Sequence, residues 1–278
     1  MAFTSPPRGS EIDVWGWPLL IYGQGELSTP LKSTRSSISL SLMRRLLTPE
    51  DVRRLVFESI EEIEEAQSRL NLPICPNLQE TRRRLRDGVF MAEPIVGSEG
   101  YQMDYGLFQP PSTIILDSRL PLLEEGLLQY SVVHEVIHAD DHTGGDRLYR
   151  ETKRHILEEH EVELERGMRI IAENGGGVYI RNREKLAELW AMQYVDLYVH
   201  YRTYIVLRER GTPRLEHLWE RLHGEGPITA RLLTYLERRR GIRYIFKLLT
   251  EMAGRCCLID LLRECEDIKK MDMARYTI

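Results

Sequence analysis

The stretch Ser131 to His142, reading SVVHEVIHADDH, constrains this chain more than any other. On an α-helix, positions i and i+4 lie one turn apart on the same face, so His134 and His138 can both present an imidazole nitrogen to one divalent ion. Glu135 is set about 100° round the helix from His134. That places a carboxylate beside a metal rather than on it, where it can take a proton from a metal-bound water. Val132, Val133, Val136 and Ile137 supply a second, apolar face, as a metal-bearing helix packed between two lobes requires. A surface helix with two solvated histidines would leave that apolar lead-in and Glu135 unconnected.

Composition bounds the class of protein. A chain of 278 residues, 42% hydrophobic and 29% charged, is long enough for one large domain or two small ones with a real core. The net charge of -5 provides no basic field, which argues against nucleic acid or an anionic membrane as the main partner. No apolar run approaches the roughly 18 residues of a membrane span, and MAFTSPPRGSEIDVW lacks the apolar core of a signal peptide, so a cytoplasmic protein is expected. Cys75, Cys256, Cys257 and Cys265 contain no CxxC, and the adjacent pair cannot readily bridge. They are expected to be buried apolar residues rather than a disulfide framework or a thiolate zinc site.

Residues 1–45 read as a partly irregular extension, with one aromatic island at Trp15 to Tyr22 that suits a short packed strand. Thr48-Pro49-Glu50-Asp51 opens the first helix, with Thr48 at the N-cap, Pro49 at N1 and Asp51 closing a capping box. Its stripe of Leu55, Ile60 and Ile63 stops before Leu72-Pro73. Residues 74–119 predict a short charged helix near Gln79–Arg86 and then a small antiparallel sheet punctuated by glycines and Pro110-Pro111. Ser112 to Asp117 is its clearest strand. Glu151 to Glu173 reads as a charge-dense helix, 183–209 as a long one, and 211–278 as a compact helical region. Its basic run Arg238 to Lys247 is expected on a solvated amphipathic face.

A sheet whose last clear strand leads through Ser118 to Glu125 into a helix carrying HExxH resembles the N-terminal lobe of the zincin metallopeptidases. The resemblance covers roughly residues 46–210. It implies a predominantly helical α+β fold, with the sheet packed on the HExxH helix and a helical C-terminal lobe at 211–278. It also implies that Ile114 to Asp117 lies at the sheet edge, where it could pair with an extended substrate.

A catalytic zinc site needs a third protein ligand and one position left for water. His142 continues the helical repeat, but ligands at i, i+4 and i+8 are collinear and cannot surround an ion, so a capping or supporting role suits it better. Glu158 and Glu159 lie where the shortest gluzincin arrangement takes its glutamate. Arg183-Glu184-Lys185-Leu186-Ala187-Glu188-Leu189-Trp190-Ala191 is similar to the glutamate helix of many gluzincins, NExxAExxA, with Arg183 in place of the Asn. That resemblance implies Glu184 as the third ligand and Glu188 as a hydrogen-bond partner of a ligand histidine. Alanines on the same face would let the helix approach closely. Glu158, Glu159 and His142 remain the alternatives. Asn174 to Gly177 would then be a turn or lid between the two metal helices. Zincins commonly use a Tyr or His as oxyanion donor, and the long helix carries Tyr194, Tyr198, His200, Tyr201 and Tyr204 as candidates, though their helical spacing places most of them in the core.

The expectation is therefore a zinc metallopeptidase acting on a peptide or protein substrate, with His134, His138 and Glu184 on Zn2+ and Glu135 as general base. The alternative is a non-catalytic, regulatory protein of the same fold whose C-terminal helices bind a protein partner or DNA.

Overall fold

A computed structural model describes residues 45–95, 105–123, 126–173, 182–223, 231–250, 256–257, 259–261 and 263–264. The aromatic island at 15–22, the glycine turn at 174–177 and Cys265 lie outside these residues. The order is α1 (Pro49–Leu70), α2 (Leu78–Arg86), β1 (Val89–Glu93), β2 (Gly106–Gln109), β3 (Thr113–Asp117), α3 (Leu127–Thr143), α4 (Arg147–Glu159), α5 (Glu161–Glu173) and α6 (Arg183–Arg210). Then follow α7 (Leu215–His223), α8 (Arg231–Arg240) and α9 (Ile242–Thr250). The described residues are mostly helical with one small sheet, as expected of an α+β chain.

Helix α1 starts as its residues dictate. The Thr48 hydroxyl accepts the Asp51 N–H at 3.3 Å, and the Asp51 carboxylate accepts the Thr48 N–H at 3.0 Å, closing the capping box. Asn71, left-handed at φ 51°, ends the helix two residues before Pro73.

The sheet corrects the expected topology. Its order is β1-β3-β2, with β1 parallel and β2 antiparallel to β3, so it is mixed rather than antiparallel, and β3 is its central strand rather than its edge. The reason is legible in β3 itself. Ile114, Ile115 and Leu116 form a continuous apolar run, and all three are buried, as a strand covered on both faces requires. An edge strand alternates instead, and β1 and β2 do so. The edge nearest the HExxH helix is therefore β2, which packs directly on α3.

Helix α3 lies between α1 and α6, with β2 against a third side. Val132, Val133, Val136 and Ile137 are all buried in the main core, as their apolar stripe predicts. A part-buried ion pair locks α6 onto α3. The guanidinium of Arg202, 4% exposed, donates to both carboxylate oxygens of Asp141, at 2.9 Å to Oδ1, and to the Ile74 carbonyl at 3.3 Å. This two-pronged contact sets how far α6 slides along α3, and hence which of its residues meets the histidines. Helices α7 to α9 join the same core, with Trp219 on the Tyr204 ring at 4.6 Å and Glu237 accepting from the Tyr201 hydroxyl at 2.9 Å. Among the described residues no helix is long and apolar enough to cross a membrane.

The charge-dense segment 151–173 is two helices, not one. His160 breaks the run with φ -122° and ψ 37°, closing α4 through its N–H on the Ile156 carbonyl at 3.1 Å and opening α5 through its own carbonyl, which accepts the Leu164 N–H at 2.9 Å.

Candidate metal centre

Two helices build the centre, both expected to do so, although α6 brings a different residue from the one expected. Helix α3 projects His134 and His138 from adjacent turns of one face, with their Nε2 atoms 3.1 Å apart. Helix α6 brings Asp196 across from them, its Oδ1 3.6 Å from His134 Nε2 and 3.5 Å from His138 Nε2. Three lone-pair donors thus form a nearly equilateral triangle. A four-coordinate ion with bonds of about 2.1 Å has ligand atoms about 3.4 Å apart, so the observed triangle is one face of such a tetrahedron. His134, His138 and Asp196 form a group that can hold a metal ion, with the fourth position outside the triangle. The Asp196 side chain is 40% exposed and His134 12%, so the group opens to solvent on the α6 side.

Asp196 is itself held in place. Its second oxygen, Oδ2, lies 3.2 Å from His200 Nε2, one turn along α6, and His200 Nδ1 lies 2.6 Å from the Tyr130 hydroxyl, which belongs to α3. The His200 ring thus bridges the two helices, with Nε2 toward the Asp196 carboxylate and Nδ1 toward the tyrosine hydroxyl. The chain Tyr130–His200–Asp196 is the kind of supporting arrangement that orients a ligand and raises its basicity. Burial alone would raise the Asp196 carboxyl, but the charge of His200 and hydrogen bonds to His138 and His200 hold it well below the usual carboxylate range. For His138, burial favours the neutral ring, yet Asp196 and the charge of Glu135 push its pKa up. The two shifts describe one attraction between a carboxylate and imidazoles, which a cation at the centre would replace.

Glu135 sits on the neighbouring side of α3, 5% exposed, facing the start of β2. A Cβ at Gly106 would fall 2.7 Å from Glu135 Cγ and 2.8 Å from its Oε1, so only glycine lets the strand come this close. The acidic side chain of the motif is thereby pinned between the histidine face and the first residue of the edge strand.

The expected third ligand lies elsewhere. Glu184 is exposed, about 18 Å along α6 from Asp196, and bonds the Lys153 ammonium at 2.9 Å. Glu188 shares that lysine at 2.9 Å and also meets Lys185 at 3.0 Å, so it supports no histidine of the centre. Together with the lysines the two glutamates tie α6 to α4. Glu158 and Glu159 are exposed at the end of α4. His142 meets Asp146 at 3.0 Å beyond the centre, near the end of α3. Of the aromatics on α6, Tyr194, Tyr198 and Tyr201 are core residues, and His200 alone of the five named enters the centre. Asp196 was the residue to find. It stands in Tyr194-Val195-Asp196-Leu197-Tyr198-Val199-His200, an otherwise apolar and aromatic run, and Asp196 to His200 repeats the i, i+4 spacing of His134 to His138.

No family model, curated protein or solved structure matches this chain. What the site can do therefore rests on its own geometry.

Proposed function

We propose that the protein is a zinc-dependent peptidase, with the metal held by His134, His138 and Asp196 and with Glu135 as general base. The observation that carries this reading is the convergence of His134, His138 and Asp196 on one point, with the Glu135 carboxylate next along α3 and its charge acting on His138. Two imidazoles and one carboxylate with an open fourth position are the ligand set of a catalytic rather than a structural zinc. When bound, zinc supplies a water acidified to a pKa of about 7 and a positive charge against the carbonyl oxygen.

The chain's own residues do the rest. Glu135 accepts the proton of the attacking water on a carboxylate oxygen and returns it to the departing amine nitrogen, a role that needs a carboxylate close to the metal but not on it. His200, braced by the Tyr130 hydroxyl, keeps Asp196 Oδ1 turned to the histidines. Among the described residues β2 is an edge strand, the position at which an extended peptide would add as a further strand. Gly106 brings the start of that strand to Glu135, so a chain lying on β2 would pass over the general base.

Glu135→Gln tests the assignment, because an amide keeps the shape but accepts no proton at neutral pH. Hydrolysis of a quenched peptide library should fall by at least about a hundredfold while zinc content and thermal stability stay within error of the parent. A parent inactive on every peptide, with a Glu135→Gln variant that sheds its metal or unfolds, would make the residue structural and favour the regulatory alternative.

A further inference from the structure

A second constellation lies at the junction of α4 and α5, outside the main core. His155 on α4, His160 at the break, and Cys257 and Asp260 from the C-terminal segment place one nitrogen, sulfur or oxygen each within 4.8 Å of one another. On a continuous helix, residues five apart point about 140° from each other, so His155 and His160 could not share a target. The break after Glu159 removes that obstacle and sets the two rings edge to face, 5.2 Å apart. Opposite them, the Cys257 N–H donates to Asp260 Oδ2 at 2.8 Å, and the Cys257 carbonyl accepts the Leu261 N–H at 3.1 Å, so one turn of backbone presents both side chains.

His160 and Cys257 are buried, His155 and Asp260 are half-buried, and the hydrogen bonding of the cluster is incomplete. Asp260 Oδ2 has three nitrogens about it: the Cys257 N–H, His155 Nε2 at 3.1 Å and His160 Nε2 at 3.3 Å. One carboxylate oxygen offers about two lone pairs, so it cannot satisfy all three. His160, 3% exposed, is the one left over, with neither ring nitrogen in a hydrogen bond of acceptable geometry. Cys257 is fully buried, in a small apolar cluster with Ile156, Leu164 and Ile171.

We propose that His155, His160, Cys257 and Asp260 form a second, structural zinc site. Two imidazoles, a thiolate and a carboxylate are the borderline donor set that zinc prefers, and four protein ligands close the coordination. The charge also balances, since one thiolate and one carboxylate neutralise the dication inside an apolar setting. Binding displaces the thiol proton of Cys257 to solvent and forms the metal–sulfur bond, with no change of oxidation state. The site fastens the C-terminal segment to the point where α4 and α5 meet, where the local apolar cluster is small. It is independent of the peptidase reading, since neither centre contributes a ligand to the other.

Cobalt(II) added to the metal-stripped full-length protein distinguishes the two centres, because only the second contains sulfur. The parent should take up about two equivalents and develop a near-ultraviolet sulfur-to-cobalt charge-transfer band. Cys257→Ser should abolish the band and lower uptake to about one equivalent, while a His134→Ala, His138→Ala double variant should lose the other equivalent and keep the band. A parent that binds cobalt without a charge-transfer band overturns the proposal, and this needs no variant to fold. Equal metal content in the parent and in Cys257→Ser overturns it equally.

Discussion

Asp196→Asn is the sharpest test of how the two helices cooperate. The substitution keeps the side-chain shape and removes the charge that meets His134 at 3.6 Å, His138 at 3.5 Å and His200 at 3.2 Å. Structural zinc held by four protein ligands binds with about 10–16 kcal/mol, so one ligand in four is worth about 3 kcal/mol, or roughly a hundredfold in affinity. Chelator competition on the purified protein should show zinc bound about a hundredfold more weakly at this centre in Asp196→Asn. His200→Ala should weaken it by about 10–100-fold, since it removes only the group that orients the ligand. Glu184→Ala is the control. Its carboxylate is exposed and pairs with Lys153, so its loss should cost no more than about 1 kcal/mol of stability and leave metal affinity unchanged. Unchanged zinc affinity in Asp196→Asn, with metal lost from Glu184→Ala, would refute the reasoning and move the centre about three turns up α6.

Gly106→Ala inserts a methyl 2.7 Å from Glu135 Cγ, and such overpacking should cost about 1–3 kcal/mol in urea unfolding. Peptidase activity should drop more than zinc content, because the displaced group is the base and not a ligand; equal retention of both would show that the close approach has no catalytic consequence. Thr48→Ala removes the hydroxyl that caps α1 and should lower stability by about 1 kcal/mol, a fall in Tm of about 2–4 °C by calorimetry, whereas an unchanged Tm would mean the capping box contributes nothing. Asp117 gives a pH signature. Burial would raise its carboxyl, but hydrogen bonds from Arg119 and from the backbone of Arg119 and Ile95 hold it below its ordinary value of 3.8. A depressed folded-state pKa contributes stability above the unfolded value and loses it as pH falls through the folded one. The stability gap between parent and Asp117→Asn should therefore be constant above about pH 5 and shrink in more acidic solution; a gap that widened there would reverse the assignment.

Local signals were legible in the residues alone wherever the cause is local. Thr48 and Asp51 lie three apart and meet through the first turn, so the start of α1 follows from the letters. His134, Glu135 and His138 share a helix, and no tertiary contact is needed to put two imidazoles on one side and a carboxylate beside them. The buried stripe of α3 and the long α6 followed from periodicity for the same reason.

What the tertiary structure alone decided are the meetings of distant segments. Whether Glu184 or Asp196 faces the histidines depends on how far α6 slides along α3, and the Arg202–Asp141 pair, 61 residues apart in sequence, sets that slide. Strand order depends on which neighbours cover Ile114 to Leu116, so β3 is central and β2 takes the edge beside Glu135. Cys257 read as a plain core residue because its cysteines lack metal-ligand spacing. Its partners His155 and His160 come from 97 or more residues away, brought together by a helix break and a chain return that one-dimensional spacing does not encode. Helical periodicity is a property of a single segment, whereas a ligand set drawn from two segments is fixed by packing between them, and packing is decided only when the whole core closes.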